Sequence, residues 1–159
     1  MKSTTPPSVW SNLTHFFAFG CGVGALPYAP GTFGTLLAVP VYLLVQPLPL
    51  WLYIAHTLFL LVLGVWLCHV TARDLGVEDH PGIVWDEIVG FLITMTAAPP
   101  GWMWLVLGFA LFRFFDIWKP WPLDYLERRM KGGVGIMIDD VGAGLYALLV
   151  LQLLVWLQK

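Results

Sequence analysis

The sequence predicts an all-α fold: an integral membrane helical bundle of about five apolar helices, some of them short or re-entrant. Three observations predict it. The 159 residues are 58% hydrophobic and only 11% charged, where a soluble domain carries about 25% charged residues. No Lys, Arg, Asp or Glu occurs in 3–72 or in 88–112. The apolar runs also have helix length, and Leu50 to Val70 covers 21 residues, close to the ~20 that cross a bilayer. The length suits one domain, read as a flexible lead, 1–8, followed by a single membrane-embedded unit, 9–159.

The elements follow from apolar runs and their breakers. Val9 to Gly24 is apolar and aromatic, an interfacial helix or a short buried one. Pro27 to Gly34 is rich in turn formers, with Thr32 placed to cap the next helix. Thr35 to Gln46 holds Pro40 and is short for a span, which predicts a kinked, tilted or partly re-entrant helix. Pro47-Leu48-Pro49 turns the chain into the Leu50–Val70 helix, and Thr71 to Pro81 is polar. Ile83 to Ala98 is apolar after Asp86 and Glu87, and Pro99-Pro100-Gly101 reverses the chain. Trp102 to Trp118 is apolar up to Arg113 and Asp116. Lys119 to Met137 reads as the longest polar loop, and Ile138 to Leu157 as the last helix.

Threaded through a bilayer, these helices return Thr32, Arg73 to Glu87, Arg113 to Lys131 and Asp139-Asp140 to one face. That face collects seven of the eight Lys and Arg residues, all except Lys159, so it is expected to be cytoplasmic. A cleaved leader is not expected, because the start has one Lys and 20–30 lacks an A-x-A-like site. Cys21 and Cys68 lie in apolar surroundings and suggest neither a disulfide framework nor a zinc site. The nine tryptophans read as interfacial anchors, not as stacking platforms for nucleic acid.

The chemistry centres on 132–144, GGVGIMIDDVGAG, followed by an uncharged run to Gln158. Two ionised groups at the head of a membrane helix are costly unless paired. Asp139 and Asp140 are therefore either ligands of a divalent cation, which takes oxygen donors, or solvated groups favouring a helix N-terminus. Asp86 and Glu87 open another helix. Spacing of three places Arg113, Asp116 and Lys119 near one side of a helix, provided that the helix runs that far before Pro120. Carboxylates from several helix ends, joined by Arg and Lys, suit a metal-assisted reaction on a phosphate. The backbone of Gly132-Gly133-Val134-Gly135 could approach an anion, and Gly142-Ala143-Gly144 favours close helix packing.

Plainer readings stand beside these. Arg113 and Asp116 also fit an intrahelical ion pair, and Asp124, Glu127, Arg128 and Arg129 a solvated or headgroup-facing loop. Asp74, Glu78 and Asp79 fit solvated groups. His80 is a ligand, a proton carrier or neither, and His15, His56 and His69 fit packed or interfacial positions. Several phosphatase chemistries are excluded. Cys68 to Arg73 encloses four residues and no glycine, unlike a cysteine phosphatase loop. DxDx[TV], the SGH pattern of lipid-phosphate phosphatases and GxxxxGK[ST] are all missing.

Four segments in order, Pro30-Gly31-Thr32-Phe33-Gly34, Ile83-Val84-Trp85-Asp86-Glu87, 112–122 (FRFFDIWKPWP) and 132–140 (GGVGIMIDD), resemble the phosphatidylglycerophosphatase A family. The similarity runs from about Phe19 to the last helix. It implies magnesium-dependent removal of the terminal phosphate of phosphatidylglycerophosphate in the bacterial inner membrane, with a phospholipid substrate and no obligatory protein partner. On that reading Asp86, Glu87, Asp139 and Asp140 hold the metal, and Arg113, Lys119 and Thr32 hold the phosphate. Asp116 is a general base or a further ligand site, with Asp86 and Asp139 also in the catalytic set. The rivals are a small ion-coupled transporter, which expects charges at mid-span and on both faces, and a CDP-alcohol phosphatidyltransferase. The spaced aspartates of the latter, DGxxAR…GxxxD…D, are absent.

Overall fold

The computed structural model describes residues 6–158, so Lys2, Lys159 and most of the expected lead lie outside the described residues. The described residues form helices and no strand. A 3-10 turn, Pro7–Trp10, and α1, Leu13–Ala18, precede the second 3-10 turn, Val23–Ala25. Then come α2, Pro30–Val45, α3, Leu50–Leu75, α4, Trp85–Thr94, α5, Trp102–Trp118, α6, Leu123–Arg129, and α7, Gly132–Leu157.

Two of these helices, α3 and α7, are long and apolar enough to cross a membrane. At 26 residues each they extend about 39 Å. The other apolar runs give shorter helices, of 16 residues in α2, 10 in α4 and 17 in α5. Pro40 lies inside α2, where its ring removes one ladder donor.

The long helix α7 is the axis of the bundle, packed against α3, α4, α5 and α6. Glycines permit the closest of these approaches. A Cβ at Gly144 would lie 2.5 Å from the Gly90 carbonyl oxygen, and one at Gly90 would lie 2.8 Å from that of Asp140. The backbones of α4 and α7 are thereby in contact beside Asp140. Thr94 donates its hydroxyl to the Gly90 carbonyl at 3.0 Å. Further hydrogen bonds fix α4 lengthwise: Trp85 Nε1 donates to the Leu60 carbonyl, Tyr53 to that of Leu92, and Gln152 to that of Thr96. The side chains buried between the helices include Phe91, Leu92, Met95, Phe112, Ala143 and Leu151.

Three expectations change. The last helix begins at Gly132, six residues before the expected Ile138. Asp139 and Asp140 consequently lie about two turns inside α7, beyond the first turn where a helix dipole favours carboxylates. Gly132 and Gly133 are the start of that helix and not an anion-binding loop. A Cβ at Gly133 would fall 1.9 Å from the Val65 carbonyl oxygen of α3, so these glycines bring α7 against α3. Thr32 is not a cap: α2 starts at Pro30, its cap position is Ala29, and no side chain caps it. In addition, α6 occupies part of the expected 119–137 loop; the side chains of Asp124, Glu127 and Arg128 lie outside the described residues.

Candidate active site

The first turn of α4 carries Asp86 and Glu87 toward α7, and the Gly90–Gly144 contact brings Asp140 to meet them. One oxygen from each of these three carboxylates lies within 4.8 Å of the others. Asp86 is 8% and Asp140 3% exposed. Asp86 Oδ1, Glu87 Oε2 and Asp140 Oδ1 have no hydrogen-bond partner among the described residues. Full charges so close repel by roughly 3 kcal/mol per pair at an effective dielectric near 20. Bare carboxylate oxygens also forfeit hydration. The arrangement is therefore costly by itself and suited to a hard cation, which accepts oxygen donors. The residues present fit such an ion: three oxygens from two helices, with no sulfur or imidazole in the group.

Cationic groups come from the end of α5. Arg113 pairs with Asp116 one turn later, as the spacing predicts, and both side chains are mostly buried. The Arg113 Nε has no partner among the described residues. The helix ends at Trp118, and Lys119 has a left-handed backbone, φ 45°. That turn takes its ammonium off the α5 face to Asp139 Oδ2, at 2.7 Å. Asp139 thus faces Lys119, while Asp140 faces α4. Neighbouring residues of a helix point about 100° apart, which is why the adjacent pair divides between two partners.

Gly31, in the first turn of α2, completes the site and was not singled out as a site residue from the sequence. A Cβ there would lie 2.2 Å from Glu87 Oε1 and 3.2 Å from Arg113 Nη1. The backbone of α2 therefore lies directly against the carboxylate and guanidinium. The available signal was a glycine directly after the helix-opening Pro30. Half-buried Thr32 follows in the same turn.

The other polar groups engage different partners. His15 is buried between Ser8, at 2.9 Å, and Asp74, at 3.4 Å, and ties the N-terminal segment to α3. Asp74 also pairs with Arg73, and Glu78 with Lys131 at the surface. The His80 Nδ1 accepts the Gly82 amide; partial burial lowers its pKa from the ordinary value, against the opposing charge of Asp79. His69 packs beside Gly132.

A family model and two curated relatives point to one family, while a third relative is named differently. The family model for phosphatidylglycerophosphatase A matches residues 16–155. Phosphatidylglycerophosphatase A of Escherichia coli strain K12 is 48% identical over 84% of this chain and 78% of its own length. The protein of that name from Haemophilus influenzae is 44% identical, over 87% of this chain and 86% of its own. A Bacteroides thetaiotaomicron relative, named provisionally as a phosphatidylinositol-3-phosphatase, is 40% identical over 86% of this chain and 90% of its own. No solved structure matches the chain. With the match reaching from α1 through most of α7, and so across every helix that supplies the carboxylate cluster, the chain belongs to the phosphatidylglycerophosphatase A family.

Proposed function

We propose that this protein hydrolyses the terminal phosphomonoester of phosphatidylglycerophosphate to phosphatidylglycerol and phosphate, with magnesium, at the cytoplasmic face of a bacterial inner membrane. The observation that carries this reading is the buried group of Asp86, Glu87 and Asp140, each with a bare oxygen, beside Arg113. Asp86, Glu87 and Asp140 are the residues that would hold the ion, and Asp139 would add a fourth carboxylate beside them. When bound, magnesium polarises phosphoryl oxygens and acidifies a coordinated water. Arg113, aligned by Asp116, offers its Nε edge to the phosphate, and Lys119 supplies a second positive charge beside it. Thr32 and the Gly31 backbone close the other side. Asp116 is assigned the attacking water's proton. Attack breaks the bond between phosphorus and the glycerol oxygen, and Asp116 returns the proton to that oxygen, so that the glycerol leaves as the alcohol and the phosphate is released.

The aromatic residues support a membrane depth for this site. Exposed Trp51, Trp102 and Trp156 occur where α3 and α5 start and α7 ends. Exposed Tyr28, Trp118, Trp121 and Tyr125 flank the carboxylate end. Trp102 to Trp118 covers about 24 Å of helix, close to the ~30 Å hydrocarbon core whose borders such residues favour. Arg73, Arg113, Lys119, Arg129 and Lys131 all belong to the carboxylate end, which supports a cytoplasmic orientation.

The test is phosphate release from phosphatidylglycerophosphate by the purified protein, with magnesium or with a chelator. Magnesium-dependent release is expected. Equal release with the chelator overturns the metal role, and release only from phosphatidylinositol 3-phosphate overturns the substrate assignment.

A further inference from the structure

A groove of about 380 Å³ lies between α6 and α7, lined almost wholly by apolar side chains. Its lining includes Pro122 and Ile138. Each is within three residues of the Lys119–Asp139 ion pair. From there the α7 wall runs along one stripe, through Val141, Gly142 and Leu145, to Leu149. The spacing of three and four keeps these residues on a single helix face. The stripe heads away from the carboxylate end, toward the Trp156 end of the helix. From Ile138 to Leu149 it spans 12 residues, about 16 Å at the α-helical rise. One leaflet of hydrocarbon is about 15 Å deep, half of the ~30 Å core.

The walls are fixed. Tyr146 stacks on Phe115 with ring centroids 5.6 Å apart, and its hydroxyl donates to the Trp121 carbonyl at 3.2 Å. A Cβ at Gly142 would fall 2.0 Å from Leu123 Cδ2, so the floor exists because that residue is glycine.

We propose that this groove is the acyl-chain subsite for the lipid phosphomonoester whose headgroup the carboxylate site takes, an inference that rests on the function proposed above. Three features select a substrate tail as occupant: the groove opens beside a lysine, its lining is hydrocarbon, and its length is one leaflet. The groove gains nothing from the hydrophobic effect, since the surrounding lipid is equally apolar. What it supplies is registry. A chain laid along a rigid stripe arrives with its phosphate beside Lys119 and Arg113, and positioning of that kind governs rate steeply.

Two measurements test this on the full-length protein in mixed micelles. The first is kinetic. Leu145→Trp and Leu149→Trp narrow the groove without touching the charged site. Each is expected to lower kcat/KM for dioleoyl phosphatidylglycerophosphate about tenfold, mainly through kcat, while activity on the dihexanoyl analogue, too short to follow the stripe, is unchanged. An equal loss on both substrates, or on neither, overturns the subsite. The second is photolabelling, with a diazirine at mid-chain of phosphatidylglycerophosphate or of phosphatidylcholine. The phosphomonoester probe is expected to label the 138–149 stretch, and unlabelled phosphatidylglycerophosphate to compete it away. Equal labelling by both probes, or labelling without competition, means that only bulk lipid fills the groove. Competed labelling in a protein that releases no phosphate sustains the subsite and overturns the proposed reaction instead.

Discussion

Asp140 is held almost out of solvent beside two other carboxylates, and a neutral replacement there acts on two quantities in opposite directions. Asp140→Asn removes an oxygen from the proposed ligand set and is expected to lower kcat by ~100-fold or more, the scale of losing one charge-stabilising contact. It also removes mutual repulsion, so in chelator the variant is expected to melt above the wild type. Magnesium at a hundred times its dissociation constant stabilises a binding-competent fold by about 2.7 kcal/mol. That increment is expected for the wild type and not for the variant, read from melting curves in detergent with magnesium or chelator. A wild type that gains nothing from magnesium would remove the ion from this site. Gly31 gives a complementary case. In Gly31→Ala the new methyl meets the far end of the flexible Glu87 side chain, which can move aside. Stability is expected to stay within about 1 kcal/mol, helped by alanine's helix propensity. Activity is expected to fall at least tenfold, roughly the sensitivity of a preorganised site to a small displacement. Parallel assays of phosphate release and melting separate the two effects.

At the level of elements, the α3–α7 contact sets where α7 begins. Gly133→Ala directs a methyl into the Val65 carbonyl, which belongs to backbone and cannot rotate away. The helices must part, and a loss of about 2 kcal/mol or more is expected from overpacking at such a contact. Gly76→Ala is the control. Nothing lies within 4 Å of its Cβ, but its φ is +68°, so the expected loss is the backbone cost of about 1–2 kcal/mol. Thermal melting of both variants checks the order. The α4–α5 hairpin was largely readable from the sequence: Trp102–Trp118 has the expected bounds, because Gly101 and Pro120 flank a mostly apolar run that holds no proline. The start of α7 was not readable. Its glycines resemble a flexible loop in isolation and become helical where the close approach of α3 has no room for a side chain.

For the whole molecule, the proposed orientation makes a labelling prediction. With Cys21→Ser and Cys68→Ala as background, Pro100→Cys is expected to react with a membrane-impermeant maleimide in intact cells. Glu78→Cys is expected to react only after lysis. The reverse pattern would place the carboxylate end outside. Two helices are long and apolar enough to span a membrane, while the other apolar helices depend on neighbours to bury their polar ends. Asp86, for example, is shielded by the packing of α4 on α7 and not by helix length.

The amino-acid sequence determined the helical class and the supply of carboxylates and basic groups next to the apolar runs. Scarce charge and helix-length apolar runs leave few other arrangements, and these are properties of composition and spacing. Only the tertiary structure decided which carboxylates meet. Asp140 joins Asp86 and Glu87 while Asp139 turns to Lys119, because a helix rotates by about 100° at each residue. Its phase at 139–140 was set by glycine contacts with α3 and α4, which a linear pattern does not encode.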